Sequence, residues 1–277
     1  MNPLLLAAII ISSLALAVLL LVLYMISPGK HRHAMDYFST VRYAHRGLHD
    51  DTKAENSMSA FRAAKEHGYG IELDVRLTKD GELVVFHDDD LSRMTGIEGK
   101  VKDYTRKELS EMKLGGTSDG IPAFTEVLEL IDGAVPLLIE LKERIGQSGV
   151  AEKLVEVIEG YKGEYIVESF NPMTLRALKK LRPDILRGIL STEYTKEPEH
   201  KGSLLFALAE QLMLNFLMRP DFIAYDHRGH AVQGLRFIRR SFRTPLIAWT
   251  VRSEEEEKKA IAHGFDTVIF EGYIPEK

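Results

Sequence analysis

Apolar positions along the chain fall into two regimes. From Leu4 to Ile26 no residue is charged and nearly all are apolar, whereas from Val41 onward short apolar runs alternate with longer amphipathic stretches. The short runs predict strands at 41–46, 70–77, 82–87, 136–141, 164–169, 185–190, 221–226, 245–250 and 266–270. The stretches between most of them predict helices at 57–67, 123–131, 150–160, 172–181, 203–217, 231–241 and 254–263. Strands alternating with helices in this way argue for a parallel sheet with crossover helices. One pair breaks the alternation: only "TKDG", 78–81, separates the second run from the third. A parallel crossover needs a dozen or more residues, so these two runs form an antiparallel hairpin, with Asp80-Gly81 as its turn. Setting that arm aside leaves eight strands, the number that closes a (β/α)₈ TIM-type barrel. The connection 88–135 holds more than one helix, with an insertion at about 88–122, and the last strand is followed only by "EGYIPEK".

The uncharged segment is long enough to span a bilayer core, roughly 34 Å at ~1.5 Å per helical residue. Against a cleaved signal peptide stand the missing basic N-terminal region, the length of the apolar run and the lack of a small-x-small cleavage site. The organisation expected is a transmembrane anchor at 1–27, a juxtamembrane linker at 28–40 and a barrel domain at 41–277. Lys30 and Arg32 follow the span and no basic residue precedes it, which places the barrel in the cytoplasm of a single-pass membrane protein.

Composition narrows the chemistry. With 45% apolar and 28% charged residues the chain can build a core, and a net charge of −5 argues against nucleic-acid binding. No cysteine is present, which excludes disulfides, thiolate metal sites and a cysteine nucleophile. Any metal is therefore held by oxygen or imidazole.

The hairpin register carries a geometric argument. A two-residue loop at Asp80-Gly81 places His87 opposite Asp74, and a four-residue loop places it opposite Glu72. Either register puts His87 on the face of Glu72 and Asp74, leaving Leu73, Val75, Leu77, Val84 and Phe86 on the other. A solvated hairpin face would carry similar residues, but a third carboxylate favours a site. "PLLIELK" ends an apolar strand with Glu140 and Lys142 on one face, where barrels of this type keep their active sites. Glu72, Asp74 and Glu140 form an all-oxygen set suited to Mg²⁺ or Ca²⁺. His45 and Arg46 end the first strand on the same rim. Arg46 and Lys142 can neutralise an anion while His45 and His87 exchange protons near neutral pH, a constellation fit for phosphoester hydrolysis.

Together "AHRG", "AENS", "IELDVRLTKDGELVVFHDDDLSRMTG", "IELK", "ESFNP" and "WTV" resemble, in order and spacing, the glycerophosphodiester phosphodiesterases over roughly 41–270. The resemblance implies a metal-dependent barrel hydrolase that cleaves a small glycerophosphodiester to glycerol 3-phosphate and an alcohol. It implies metal binding by Glu72, Asp74 and Glu140, acid–base roles for His45 and His87, and phosphate contacts from Arg46 and Lys142. Glu55 would sit near the metal and His45, while Phe170 and Trp249 would line the glycerol or leaving-group side. Arg252 and Phe270-Glu271 depart from the family's usual "WTVN" and "TDYP", which bears on the alcohol side. A lysophospholipase D activity on the same barrel, or an inactive phosphate-binding barrel at the membrane, are the alternatives. His227, Arg228 and His230 follow a strand on the same rim. His67 and His263 precede glycines at helix ends and read as capping residues.

Overall fold

The computed structural model describes residues 2–143 and 146–276; the side chain of Arg32 also lies outside the described residues. Nine strands form one sheet: β1 (Tyr43–Ala44), β2 (Gly70–Leu77), β3 (Leu83–Val85), β4 (Leu137–Leu141), β5 (Tyr165–Ser169), β6 (Arg187–Ser191), β7 (Phe222–Asp226), β8 (Leu246–Val251) and β9 (Thr267–Phe270). Their order is β1-β9-β8-β7-β6-β5-β4-β2-β3, and β1 also pairs with β2 in parallel. Eight parallel strands thus close on themselves, and β3 hangs outside as the antiparallel arm of β2. This is the (β/α)₈ barrel that the alternation of patterns predicts.

The helices are α1 (Pro3–Ile26), α2 (Met58–His67), α3 (Ser92–Thr95), α4 (Arg106–Ser110), α5 (Phe124–Ile131), α6 (Val150–Ile158), α7 (Pro172–Leu181), α8 (Leu204–Glu210), α9 (Asn215–Met218), α10 (Gln233–Phe242) and α11 (Glu254–His263). Local chemistry sets their ends. The Ser57 hydroxyl accepts from Ala60 N to start α2, and Gly68, at φ 69°, stops it in the left-handed region. The single helix expected over 203–217 is two, because the chain turns at buried Leu212 with φ 59°. Only then does Asn215 reach the end of α1.

The hairpin differs from both registers expected of it. Val75 pairs with Val85 and Leu77 with Leu83, so Lys79–Gly81 is a three-residue loop. Thr78 N donates to Glu82 O at 2.9 Å, and Gly81 takes φ 77°, the left-handed position that such loops require. An odd loop length reverses the parity: Phe86, not His87, donates its N–H to Asp74 O. Val84 and Phe86 consequently leave the face of Leu73 and Val75. They join Leu91, Val101, Leu109 and Leu114 in a separate core beneath the 88–122 excursion.

The segment 28–40, expected as a linker, is packed. Met35 and Phe38 are buried with Leu138, Ile166, Phe222, Ile247 and Ile269, filling the barrel at the N-terminal ends of its strands. The end of α1 is bonded to the same end. Asn215 Nδ2 donates to Ile26 O at 3.1 Å, Arg219 Nη1 to Tyr24 O at 2.8 Å, and Gly29 N to Pro220 O at 2.6 Å.

Candidate active site

Inward-facing residues alternate along each barrel strand, so two positions separate one layer from the next. On β4 the apolar Leu138 is followed two residues later by Glu140, and on β5 Ile166 is followed by Glu168. Register then lines these up: Asp74 pairs with Glu140, and Glu140 with Glu168. Glu72, Asp74, Glu140 and Glu168 are all buried, at 2%, 1%, 6% and 1% exposure. One oxygen each of Glu72, Asp74 and Glu140 lies within 4.8 Å of the others, a group that could hold a metal ion.

Two cations answer this charge. Lys142 Nζ lies 2.8 Å from Glu140 Oε2 and 3.2 Å from Asp74 Oδ1, although the latter oxygen accepts no well-aligned hydrogen bond. Arg46 takes φ 55° just past β1, which brings its N–H to Glu72 Oε2 at 2.9 Å and its Nε to within 3.6 Å of Asp74. Gly47 follows at φ 81°, where a Cβ would meet the backbone of α2 at 2.9 Å, so the HRG glycine is required by both strain and space. Asn56 Nδ2 donates to Asp74 Oδ2 at 2.8 Å, fixing that carboxylate from behind.

Burial and mutual repulsion shape the ionisation. Glu72 is driven well above the usual carboxylate range by burial, then by Asp74 and Glu140. Burial and Asp74 push Glu140 up to about 7 against the pull of Lys142. Burial also raises Asp74, but Lys142, His87 and Arg46 outweigh it and hold its carboxyl below the ordinary range. Glu168 is raised by burial and by Glu72 and Glu140, and its Oε2 has no hydrogen-bond partner among the described residues. Within the carboxylate layer four acids face two cations, Arg46 and Lys142, while Arg228 and Arg252 on the cavity wall are paired with Asp226 and Glu271, and the ligand atoms of the layer are all oxygen. A hard divalent cation fits that set.

Both histidines reach the cavity. His45 follows β1, and its Nδ1 meets Glu271 Oε2 at 2.6 Å while its Nε2 lies 3.9 Å from Glu72. Burial holds His45 below its ordinary value despite Glu271, whose own carboxyl the His45 hydrogen bond lowers to about 2. His87 arrives by a route that strand alternation alone does not supply: the chain bends after β3, and Arg76 pins the bend by donating Nε and Nη2 to His87 O at 3.0 and 2.6 Å. Its Nδ1 meets Asp88 Oδ1 at 2.6 Å, and burial, then Lys142 and Arg46, lower it to about 4 against the Asp74 charge. In each ring Nδ1 is engaged by a carboxylate, which leaves Nε2 for the cavity.

His45, Arg46, Glu72, His87, Glu140, Lys142, Phe170 and Trp249, all picked out in the sequence, line one cavity of about 290 Å³. Phe170 and Trp249 stand edge to face at 5.5 Å, and Lys142 lies over the Phe170 ring. Asp74 lies beneath that lining. Glu55, expected beside the metal, instead ties Arg46 at 2.8 Å to Arg93 at 2.6 Å and does not line the cavity. Of the "DHRGH" stretch only Arg228 lines it, whereas His230 stacks on His263 at 3.6 Å elsewhere. Sequence reasoning missed Glu168, Glu271, Asp88 and Arg93. Glu168 offered a signal, because it sits two residues past Ile166 on an inward face. Glu271 was noted only as a departure on the alcohol side, yet its carboxylate holds His45 and lies 3.3 Å from Arg252.

Known proteins match this arrangement. A glycerophosphodiester phosphodiesterase of Caldanaerobacter subterraneus subsp. tengcongensis is 35% identical over 244 residues, which is 83% of this chain and 93% of that one. One from Bacillus altitudinis is 40% identical over 172 residues, 57% of this chain and 69% of that one. Among solved structures, an Oleispira antarctica phosphodiesterase in complex with the product sn-glycerol-3-phosphate superposes with a TM-score of 0.70 at 26% identity, covering 84% of this chain and 94% of that one. The family described as glycerophosphoryl diester phosphodiesterase matches residues 45–272, and with that span and those relatives the chain belongs to this family of barrel hydrolases.

Proposed function

We propose that the chain is a membrane-anchored, divalent-metal-dependent enzyme that hydrolyses glycerophosphodiesters to glycerol 3-phosphate and an alcohol, with His45 and His87 as its acid–base pair. The observation that carries the reading is the convergence of two imidazoles, each backed by a carboxylate, on one small chamber with Arg46 and Lys142. Arg46 and Lys142 would hold the phosphoryl oxygens. The nucleophile, water or the substrate's own glycerol hydroxyl, would lose its proton to one Nε2 as its oxygen bonds phosphorus. The phosphorus–alkoxide bond breaks and the other imidazole, entering the step protonated beside the bound phosphate anion, gives its proton to the leaving oxygen. A divalent cation, Mg²⁺ or Ca²⁺, held by Glu72, Asp74 and Glu140 would supply neutralisation of the phosphoryl charge. A mere phosphate binder has no use for two histidines placed this way, which argues against an inactive barrel.

The helix α1 reads as a retained span rather than a removed leader. An 18-residue stretch of it has a mean hydropathy of 3.0, and its last residue Ile26 is buried against the barrel. Cutting the chain after the span would leave buried Asn215 without its Ile26 partner. Lys30 and Arg32 favour a cytoplasmic barrel. Where the anchor attaches also bears on the substrate. It joins the N-terminal end of β7, and the chamber opens at the other end, about 13 Å along the strand at ~3.3 Å per residue. A soluble diester meets that chamber freely, whereas a lysophospholipid would first have to leave the bilayer. Assaying the full chain in detergent against glycerophosphocholine, glycerophosphoethanolamine and lysophosphatidylcholine tests the reading. Turnover of the first two above the third is expected. Preference for the lysophospholipid would establish the lysophospholipase D alternative, and no turnover of any would leave the inactive barrel.

A further inference from the structure

Where α1 meets the barrel there is a second cavity, of about 550 Å³, lined by Ser27, Lys30, His31, Lys179, Arg187 and Arg219 among others. Its walls come from the residues directly after the span, the last turn of α7, the start of β6 and the turn before β7. Four of these residues are permanent cations, yet the ion pairs of the lining residues go to one carboxylate among the described residues. That carboxylate is Asp221, 3.8 Å from Arg187 and 3.9 Å from His31. The side chains of Lys30 and Lys179 make no ion pair or hydrogen bond among the described residues. Arg219 donates Nη1 to Tyr24 O and Ser27 O and lies over the Tyr24 ring at 4.6 Å. Burial, then Arg187 and Arg219, hold Lys179 below its ordinary value, the mark of a cation crowded by like charge.

We propose that this cavity binds the phosphate of an anionic phospholipid headgroup. The inference rests on reading α1 as a membrane span. Ser27 to His31 follow that span directly, so the cavity lies at headgroup depth, where basic clusters meet anionic lipid. An anion delivered by the bilayer neutralises Lys30, Lys179 and Arg219 together, and it clamps the anchor to the barrel through residues that contact both.

The test uses the full chain in phosphatidylcholine micelles titrated with phosphatidylglycerol, reading thermal unfolding, with parallel membrane fractionation of the expressed protein. Phosphatidylglycerol should raise Tm where added phosphatidylcholine does not. Lys179→Gln should raise the half-saturating phosphatidylglycerol fraction by roughly fivefold, and Lys30→Gln should do the same if the first variant folds poorly. Glycerophosphodiester turnover in micelles should be unchanged by either substitution. Equal stabilisation by both lipids in a chain that fractionates with membranes would overturn the headgroup site alone. A chain absent from the membrane fraction would overturn the anchor and the site together. Stabilisation of equal size by millimolar inorganic phosphate would show a free-phosphate site and also overturn the lipid proposal.

Discussion

The two ends of the barrel are made from the same strands, and a single inward step separates their chemistries. Leu138 and Ile166 belong to an apolar layer that Met35 and Phe38 close from outside. Glu140 and Glu168, two residues on and roughly 6.6 Å further along, are buried carboxylates that repel one another. At the floor, close packing asks for shape alone. At the rim, buried like charge costs stability unless something positive enters, so the rim is where folding energy has been given up for binding. If that contrast is right, substitutions at the rim should abolish chemistry with little loss of stability, and substitutions at the floor should do the reverse.

Metal removal should give the largest effect. Stripping divalent ions from the full chain with EDTA is expected to abolish diester hydrolysis, and adding Mg²⁺ or Ca²⁺ to restore it. Glu140→Gln keeps the side-chain shape, relieves repulsion from Asp74, and should weaken metal activation without lowering Tm. Undiminished activity in metal-free buffer would leave the carboxylate layer without a purpose in this scheme.

Next in size are the histidines. His45→Ala and His87→Ala should each lower kcat by at least ~10², measured by steady-state kinetics at saturating metal. Near-wild-type kcat in either variant would sink the acid–base pair. Glu271→Gln should cost about tenfold or more in kcat, because a charge-assisted hydrogen bond of ~1.5–3 kcal/mol orients His45. Stability and KM should stay near wild type, a split that a merely structural Glu271 would not produce.

Much of this rim was legible in advance, and the reasons for the gaps are physical. Eight strands, the outlying hairpin and the placement of Glu72, Asp74, Glu140 and Lys142 follow from period-two patterning and from where barrels keep polar residues. The hairpin parity did not follow, because loop length rests on how Gly81 is used, and Asp80-Gly81 suits loops of two, three or four residues. His87 still reaches the chamber, but through a bend held by Arg76 rather than by alternation. Glu271 lies 226 residues from His45 in sequence, and nothing in either local pattern announces their contact. The floor was invisible for another reason: 28–40 forms short 3₁₀ turns, which carry no periodic signature.

The floor supplies the converse experiment. Phe38→Ala should destabilise by ~3–5 kcal/mol, the usual cost of emptying a buried phenyl site, while kcat for the folded fraction stays unchanged. Denaturant unfolding and kinetics on one preparation settle both halves. A large fall in kcat at full stability would show that floor and chamber are coupled and would break the comparison.

The smallest effect is expected away from both ends. His67 sits exposed in the last turn of α2, its Nδ1 2.9 Å from Ala63 O, next to the Gly68 cap. A histidine there adds at most ~0.3–1 kcal/mol through the helix dipole. His67→Ala should therefore lower stability only slightly and leave kcat unaltered. That outcome separates it from His45 and His87, which share its residue type and differ from it in what surrounds them. A kcat loss in His67→Ala comparable to theirs would mean that the histidine dependence of the enzyme does not come from the rim at all.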